Sequence, residues 1–242
     1  MFLSHDITRE PRHMLWHVAS GFLPGFTDET YSRVGWVKSS HRGVCHLDKF
    51  TIPKKEKTGI VNPKWEFRWN TAFEEVVRGC GDEGRSGIQK FARRSWITPE
   101  LIRGVVGLRR LGYAFSFETW YKGELAGGLW GFQLGGFIAS ASAFFRVQDA
   151  GKAAWANMHL RLRDRGFRFI DWGGVPNYGT RYGVEWVPQW QFEHDLATLM
   201  RVPRDASDEF PCKPVPPWVT MAVPLVRRAR AASAKLARRA RP

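Results

Sequence analysis

The chain has 242 residues, 43% hydrophobic and 25% charged, a balance that supports a sizeable folded core and excludes disordered, collagen-like and coiled-coil classes. Lys and Arg total 37 against 23 acids, a net charge of +14, so a polyanion such as nucleic acid or an anionic lipid surface is the first expected partner. Half of the excess is local: Arg227, Arg228, Arg230, Lys235, Arg238, Arg239 and Arg241 occupy the last sixteen residues without one acid.

The opening residues, MFLSHDITREPRH, lack the apolar centre of a secretory signal. No run of about 18 apolar residues occurs, so a cytoplasmic protein that spans no membrane is expected. Cys45, Cys80 and Cys212 are an odd number at wide spacing, which fits neither a disulfide framework nor a zinc ribbon. The seven His are scattered, and no metal site is expected. Residues 1–64 are irregular, with Gly, Pro, Ser and the basic turn Pro53-Lys54-Lys55-Glu56-Lys57; they read as a small N-terminal lobe of short strands.

From Trp65 the punctuation is clear. The strand WEFRW is followed by Asn70 as N-cap and by Ala72, Phe73, Val76 and Val77 at helical spacing up to Gly79. A glycine-rich basic loop leads to a second helix, with Thr98 as N-cap, Pro99 at its first position, Glu100 in the first turn and Gly112 past its end. Leu101, Val105, Leu108 and Leu111 make its buried stripe. In the strand Tyr113–Trp120, Tyr113, Phe115, Phe117 and Thr119 alternate with Ala114, Ser116, Glu118 and Trp120. Turns at Lys122-Gly123 and Gly135-Gly136 continue it into LAGGLWGFQL and FIASASAFF, an antiparallel meander of three strands. A helix from Gly151 to Arg165, a strand FRFID ending on Asp171, a Tyr/Gly-rich turn around Asn177 to Tyr182 and a last strand VEWVPQW follow. Residues 65–210 therefore read as one catalytic domain, and 211–242 as a Pro-rich, then basic, C-terminal tail.

This order of elements resembles the Gcn5-related N-acyltransferase superfamily. It implies an α+β fold: a mixed sheet with flanking helices that splays beside its fourth strand to admit an activated acyl donor. Between that strand and the next helix, Gln148-x-x-Gly151-x-Ala153 resembles the loop whose backbone N–H groups hold the pyrophosphate of CoA in acyl-CoA transferases. An ordinary strand-to-helix turn capped by Asp149 reads equally well.

A longer resemblance runs through Ser95-Trp96-Ile97-Thr98, Leu111-Gly112-Tyr113-Ala114-Phe115-Ser116-Phe117-Glu118-Thr119-Trp120 and Glu124-Leu125-Ala126-Gly127-Gly128-Leu129-Trp130-Gly131. Gly21-Phe22-Leu23-Pro24, Val77-Arg78-Gly79-Cys80, Ala150-Gly151-Lys152 and Ile170-Asp171 extend it. These stretches resemble, in order and spacing, the signature of the leucyl/phenylalanyl-tRNA-protein transferase family. The resemblance implies the same acyltransferase fold behind a small N-terminal domain. It also implies an enzyme that moves a large apolar aminoacyl group from its tRNA ester onto the α-amine of a protein's N-terminal Arg or Lys, marking that protein for degradation. Ester aminolysis needs no ATP and no cofactor beyond the aminoacyl-tRNA co-substrate. It needs alignment of the amine, a destination for its proton and stabilisation of the oxyanion. Asp171 matches the family's strand-end Asp, implied to orient or deprotonate the acceptor amine, and Glu118 also matches, with a sheet-holding role equally open.

Three departures qualify that picture. The family's G-E-S-M-F-S aligns with Ser140-Ala141-Ser142-Ala143-Phe144-Phe145, its D-x-Q with Asp171-Trp172-Gly173, and its W-S-P-x-x-R with Val37-Lys38-Ser39-Ser40-His41-Arg42, of which Arg42 alone is intact. A Glu is thus Ala141 and a Gln is Gly173. The implied donor pocket takes in Trp96, Leu129, Trp130, Ser142 and Phe144, and the bulk of Trp130 and Phe145 points to a smaller acyl group. For tRNA the expected contacts are Arg85, Lys90, Arg93 and Arg94 in the 84–95 loop, with Arg109 and Arg110 on the following helix and the basic tail as further cations. The expected partners are aminoacyl-tRNA and a protein N-terminus or small amine, met by a monomer. Two other readings stay open: an acyl-CoA-dependent N-acyltransferase, and a catalytically degenerate protein that binds aminoacyl-tRNA or an N-terminus.

Overall fold

A computed structural model describes residues 2–4, 10–82, 95–175, 178–202 and 213–222. Its centre is the meander, β6 (Ala114–Tyr121), β7 (Glu124–Leu134) and β8 (Phe137–Phe145). Lys122 and Gly123 both take positive φ, 54° and 82°, the backbone a two-residue hairpin requires to match strand twist. Period-2 alternation then sorts side chains into two cores. Phe115, Phe117 and Leu129 pack with Ala154, Met158 and Leu162 of α5 (Ala150–Asp164). Ala114, Trp130 and Phe132 pack instead with Val76 and Val77 of α3 (Phe73–Asp82) and Leu101, Val105 and Leu108 of α4 (Pro99–Leu111). With helices on both faces, every residue of β7 after Glu124 is buried.

The seven-stranded sheet has the order β10-β4-β9-β8-β7-β6-β5, with β10 at Val184–Pro188, β4 at His41–His46, β9 at Phe169–Gly173 and β5 at Glu66–Trp69. All its pairings are antiparallel except β8 with β9. Residues 1–64 are therefore not a separate lobe. β4 lies inside the sheet, its Val44 opposite Asp171. α1 (Pro11–Ala19) puts Met14, Leu15 and Val18 into the same core as Trp36 and Val44. The reason is that β9, parallel to β8 on one edge, needs a partner on the other, and Val44 and Cys45 supply one apolar side chain to each face. Only β1 (Phe2–Ser4), β2 (Leu23–Phe26) and β3 (Val34–Lys38) form a small sheet of their own.

α4 starts as its sequence demands, Thr98 Oγ1 accepting from the Leu101 N–H at 3.2 Å, and ends on left-handed Gly112 at φ 86°. Leu111 does not join its buried stripe and is 44% exposed. Asn70 is not a helix cap either. It turns the chain at φ 58° and accepts the Ser116 N–H at 2.9 Å. The last strand stops at Pro188, and Gln189-Trp190 begins α6 (Gln189–Leu199). Part of the expected tail is docked: Gly135 N–H donates to Lys213 O and Tyr113 OH to Pro214 O, both at 3.1 Å. Val219 of α7 (Pro217–Ala222) is buried. The basic tail, 223–242, lies outside the described residues.

Candidate active site

β8 and β9 pair through Ala139 and Asp171 and then part. Past that point Ser140, Ala141, Ser142 and Ala143 are half-buried, unlike the buried first third of the same strand. A bulge sits here: Gly131 pairs with Ser140 and Trp130 with Ser142, so Ala141 is an extra residue. Gly131 permits the close approach, since a Cβ there would lie 1.9 Å from Ala139 O. The consequence is that Ala141 packs toward the α3/α4 face while Ala143 packs toward α5. The position where the resemblance expects a Glu is thus held open on the wall of the parting, by a side chain with nothing to donate or accept.

At the head of the parting stands a buried ion pair. Arg42 of β4 reaches across to β9, its Nε donating to Asp171 Oδ1 at 2.9 Å and Nη2 to Oδ2 at 2.8 Å. Arg42 is 3% exposed and Asp171 0%. Asp171 Oδ1 also accepts the Gly173 N–H at 2.7 Å, and the Arg42 guanidinium lies 4.7 Å over the Phe192 ring of α6. A bidentate fork fixes both charges in plane, and each is desolvated enough that neither is tolerated alone. Arg42 was legible only as the one intact residue of the entry motif; that it holds Asp171 is decided by β4 lying beside β9. Gly173 follows at φ 74°, where a Cβ would meet Leu23 Cδ1 at 3.1 Å. The missing Gln is therefore not a simple exchange, because the backbone here is shaped for glycine.

The α5 side of β9 is aromatic. Trp172 Nε1 donates to His159 Nε2 at 3.1 Å, and His159 Nδ1–H donates to Trp155 O at 2.8 Å, a neutral tautomer. Burial pushes this imidazole down to about 3. No sequence signal marked His159; it reads as one of several scattered histidines.

The expected donor-pocket residues divide. Trp130 faces Ser142 in register, Trp96 lies 6.2 Å from Trp130 between ring centroids, and Phe144 shares their core, packed under Gly79 of α3. Leu129 points to the opposite face with Phe115 and Phe117, because a neighbour in a strand must. Glu118 is three strands from Asp171, roughly 14 Å by strand spacing. It is fully buried and accepts from Thr71 Oγ1, the Ala72 N–H at 2.9 Å, Ser116 Oγ at 2.7 Å and Trp120 Nε1 at 3.2 Å. Four donors fill a carboxylate. Glu118 anchors the start of α3 to the sheet and does not join the parting. Arg85, Lys90, Arg93 and Arg94 lie outside the described residues.

The N-terminus of α5 is ill suited to a pyrophosphate. Asp149 takes φ 68° and makes no side-chain cap, and its carboxylate packs against Gly59 of α2 (Lys54–Ile60). Glu56 of α2 accepts from Tyr182 OH at 2.6 Å and pairs with Lys152 Nζ at 2.9 Å, contacts that hold its carboxyl below the usual range. Two carboxylates and a helix stand where a polyanion would need open N–H groups. Gly151 has a packing reason of its own, since a Cβ would lie 2.9 Å from Phe144 O. Among the described residues, no group of three or more His, Cys, Asp or Glu could hold a metal ion, and no helix is long and apolar enough to cross a membrane.

A sequence profile described as leucyl/phenylalanyl-tRNA protein transferase matches residues 44–197. A protein named leucyl/phenylalanyl-tRNA–protein transferase from Gloeobacter violaceus is 34% identical over 197 residues, covering 81% of this chain and 97% of its own. The chain belongs to the leucyl/phenylalanyl-tRNA–protein transferase family. A relative of the same name from Paramagnetospirillum magneticum is 34% identical over 182 residues, 75% of this chain and 85% of its own. Among solved structures, one titled crystal structure of FemX covers 70% of this chain and 63% of its own, at TM-score 0.46 and 10% identity. Membership of the leucyl/phenylalanyl-tRNA–protein transferase family makes this chain an aminoacyltransferase.

Proposed function

We propose that this member transfers an aminoacyl group from aminoacyl-tRNA to the α-amine of a protein bearing an N-terminal Arg or Lys, on a Gcn5-related N-acyltransferase-like sheet. The observation that carries the reading is the Arg42–Asp171 clamp at the point where β8 and β9 part. Three of the roughly four lone-pair sites of that carboxylate are taken by Arg42 and Gly173. The remaining site, on Oδ2, accepts an N–H of the incoming amine and turns its lone pair toward the ester carbonyl. The C–N bond forms and the C–O bond to the terminal ribose breaks. The amine's proton ends on the departing ribose oxygen, so no cofactor enters the balance. With Ala141 and Gly173 offering no side-chain acid or base, alignment supplies most of the acceleration.

In this reading Trp96, Trp130, Ser142 and Phe144 form the inner wall met by the aminoacyl group, with Trp130 limiting its size. The protein works as a cytoplasmic monomer and marks its acceptors for degradation. The test is transfer of labelled amino acids from a panel of aminoacyl-tRNAs to peptides beginning with Arg or Lys. Label on the free α-amine, absent from acetylated peptides and abolished by ribonuclease, is expected. Transfer from an acyl-CoA without RNA would overturn the proposal. Gly173 at φ 74° favours one second reading, binding of aminoacyl-tRNA without transfer; tight binding with no label on any peptide or small amine would select it.

A further inference from the structure

Away from the parting of β8 and β9, α3 and α4 enclose a surface cleft of about 380 Å³ lined by Glu74, Arg78, Pro99, Ile102, Arg103, Val106 and Arg110. Three of its lining residues are Arg. Arg78 pairs with Glu74 at 2.6 Å and Arg103 with Glu100 at 2.7 Å, all four side chains between 44% and 57% exposed, so each pair is weak and readily exchanged for a stronger acceptor. Arg110 is exposed and in no ion pair among the described residues. Arg103 and Arg110 are seven residues apart on one helix, so their Cα atoms stand roughly 10.5 Å apart on nearly the same face. That spacing suits successive charges along a polyanion better than one small anion.

The cleft's position points the same way. Pro99 lies on its wall and follows Trp96 of the donor wall by three residues, which places the two within roughly 11 Å. The structure assigns this α3/α4 cleft as a phosphate-backbone contact for the tRNA, with Arg78, Arg103 and Arg110 as the groups that neutralise it. The assignment rests on the aminoacyl-tRNA reading above and adds a place on the molecule to it. Its apolar floor, Pro99, Ile102 and Val106, suits sugar edges, and no base is read there.

The test compares the full-length chain with a variant carrying Arg78→Gln, Arg103→Gln and Arg110→Gln, and with Arg110→Gln alone, by fluorescence anisotropy of labelled aminoacyl-tRNA across a salt series. All three side chains lie on the surface, and thermal melting checks that the fold is retained. The triple variant is expected to bind on the order of ten-fold or more weakly, and the slope of log K against log salt to fall by about 0.7–0.9 for each phosphate that is no longer neutralised. Arg110→Gln alone is expected to lower the slope by about the share of a single phosphate. Unchanged affinity and slope in the triple variant overturn the assignment while leaving transfer by the wild type, and so the functional reading, standing. A wild type that binds no tRNA overturns both. Loss of binding to an acidic peptide with tRNA binding intact also overturns it, and makes the cleft a peptide site.

Discussion

The Arg42–Asp171 pair allows a double-mutant test in which stability and chemistry separate. Both side chains are essentially removed from water and joined by two hydrogen bonds of 2.9 and 2.8 Å. Arg42→Met leaves a buried carboxylate with one backbone donor, and Asp171→Leu leaves a buried guanidinium over Phe192. Each single change is expected to cost about 3–5 kcal/mol, because an unpaired buried charge keeps its desolvation penalty. For a chain of this size that is a fall of roughly 6–20 °C in Tm. The double variant removes both charges and refills the volume, so its cost should be far below the sum of the singles, close to zero. Urea unfolding of the four proteins gives the cycle. Two singles below about 1 kcal/mol each, and additive, would match a solvent-screened pair and refute the burial argument. The folded double variant then decides the chemistry: it should transfer no aminoacyl group, and full transfer would remove Asp171 from the role of orienting the amine.

Restoring the family's Gln by Gly173→Gln should lower stability by about 1–2 kcal/mol, since φ 74° is strained for any side chain and Leu23 stands 3.1 Å from its Cβ; stability unchanged by denaturant titration would show that the turn relaxes freely. Gly131→Ala should be far more damaging, because its Cβ would meet the Ala139 carbonyl at 1.9 Å and the β7/β8 bulge cannot close; a cost under about 1 kcal/mol would contradict the bulge geometry. The buried neutral His159 predicts a pH effect of definite sign. Its folded value, about 3, is below the ordinary 6.5, so the unfolded chain binds the extra proton between those values. Stability from this group is complete above about pH 6.5 and is lost on acidification at up to about 1.4 kcal/mol per pH unit. His159→Gln should flatten the stability profile by about one proton over pH 4–6, and an equal slope in both proteins would place the imidazole in contact with water.

Much of the α+β architecture was legible because its determinants are local. Thr98-Pro99 and Gly112 bound α4, Lys122-Gly123 sets the first hairpin, and the alternation of Phe115 and Phe117 with Ala114 and Ser116 assigns each residue to one of two cores before any partner is known. The matched motif likewise marked Asp171, Ala141 and Gly173. Glu118 was visible with two roles open, and the choice between them depends on Thr71 and Ala72 reaching back to it from the turn that leads into α3. A family motif alone puts Leu129 beside Trp130 in the pocket because a motif carries no strand parity, although period 2 by itself sets the two on opposite faces.

By itself the sequence determined the order of elements from β5 to β10, the faces of the meander and the excess of positive charge. Those follow from neighbours in the chain, through caps, turns and alternation. Tertiary structure alone decided that β4 enters the sheet beside β9, that Arg42 therefore clamps Asp171 from 129 positions away, and that β8 and β9 part beyond Ala139 and Asp171, next to a bulge at Ala141. It also brought Arg78 of α3 alongside Arg103 and Arg110 of α4. The strand order, the ion pair and the cleft share one physical reason: an unpaired strand edge, a desolvated charge and a groove between helices each get their partner from segments remote in sequence. Nothing in the local pattern of residues encodes which remote segment that will be.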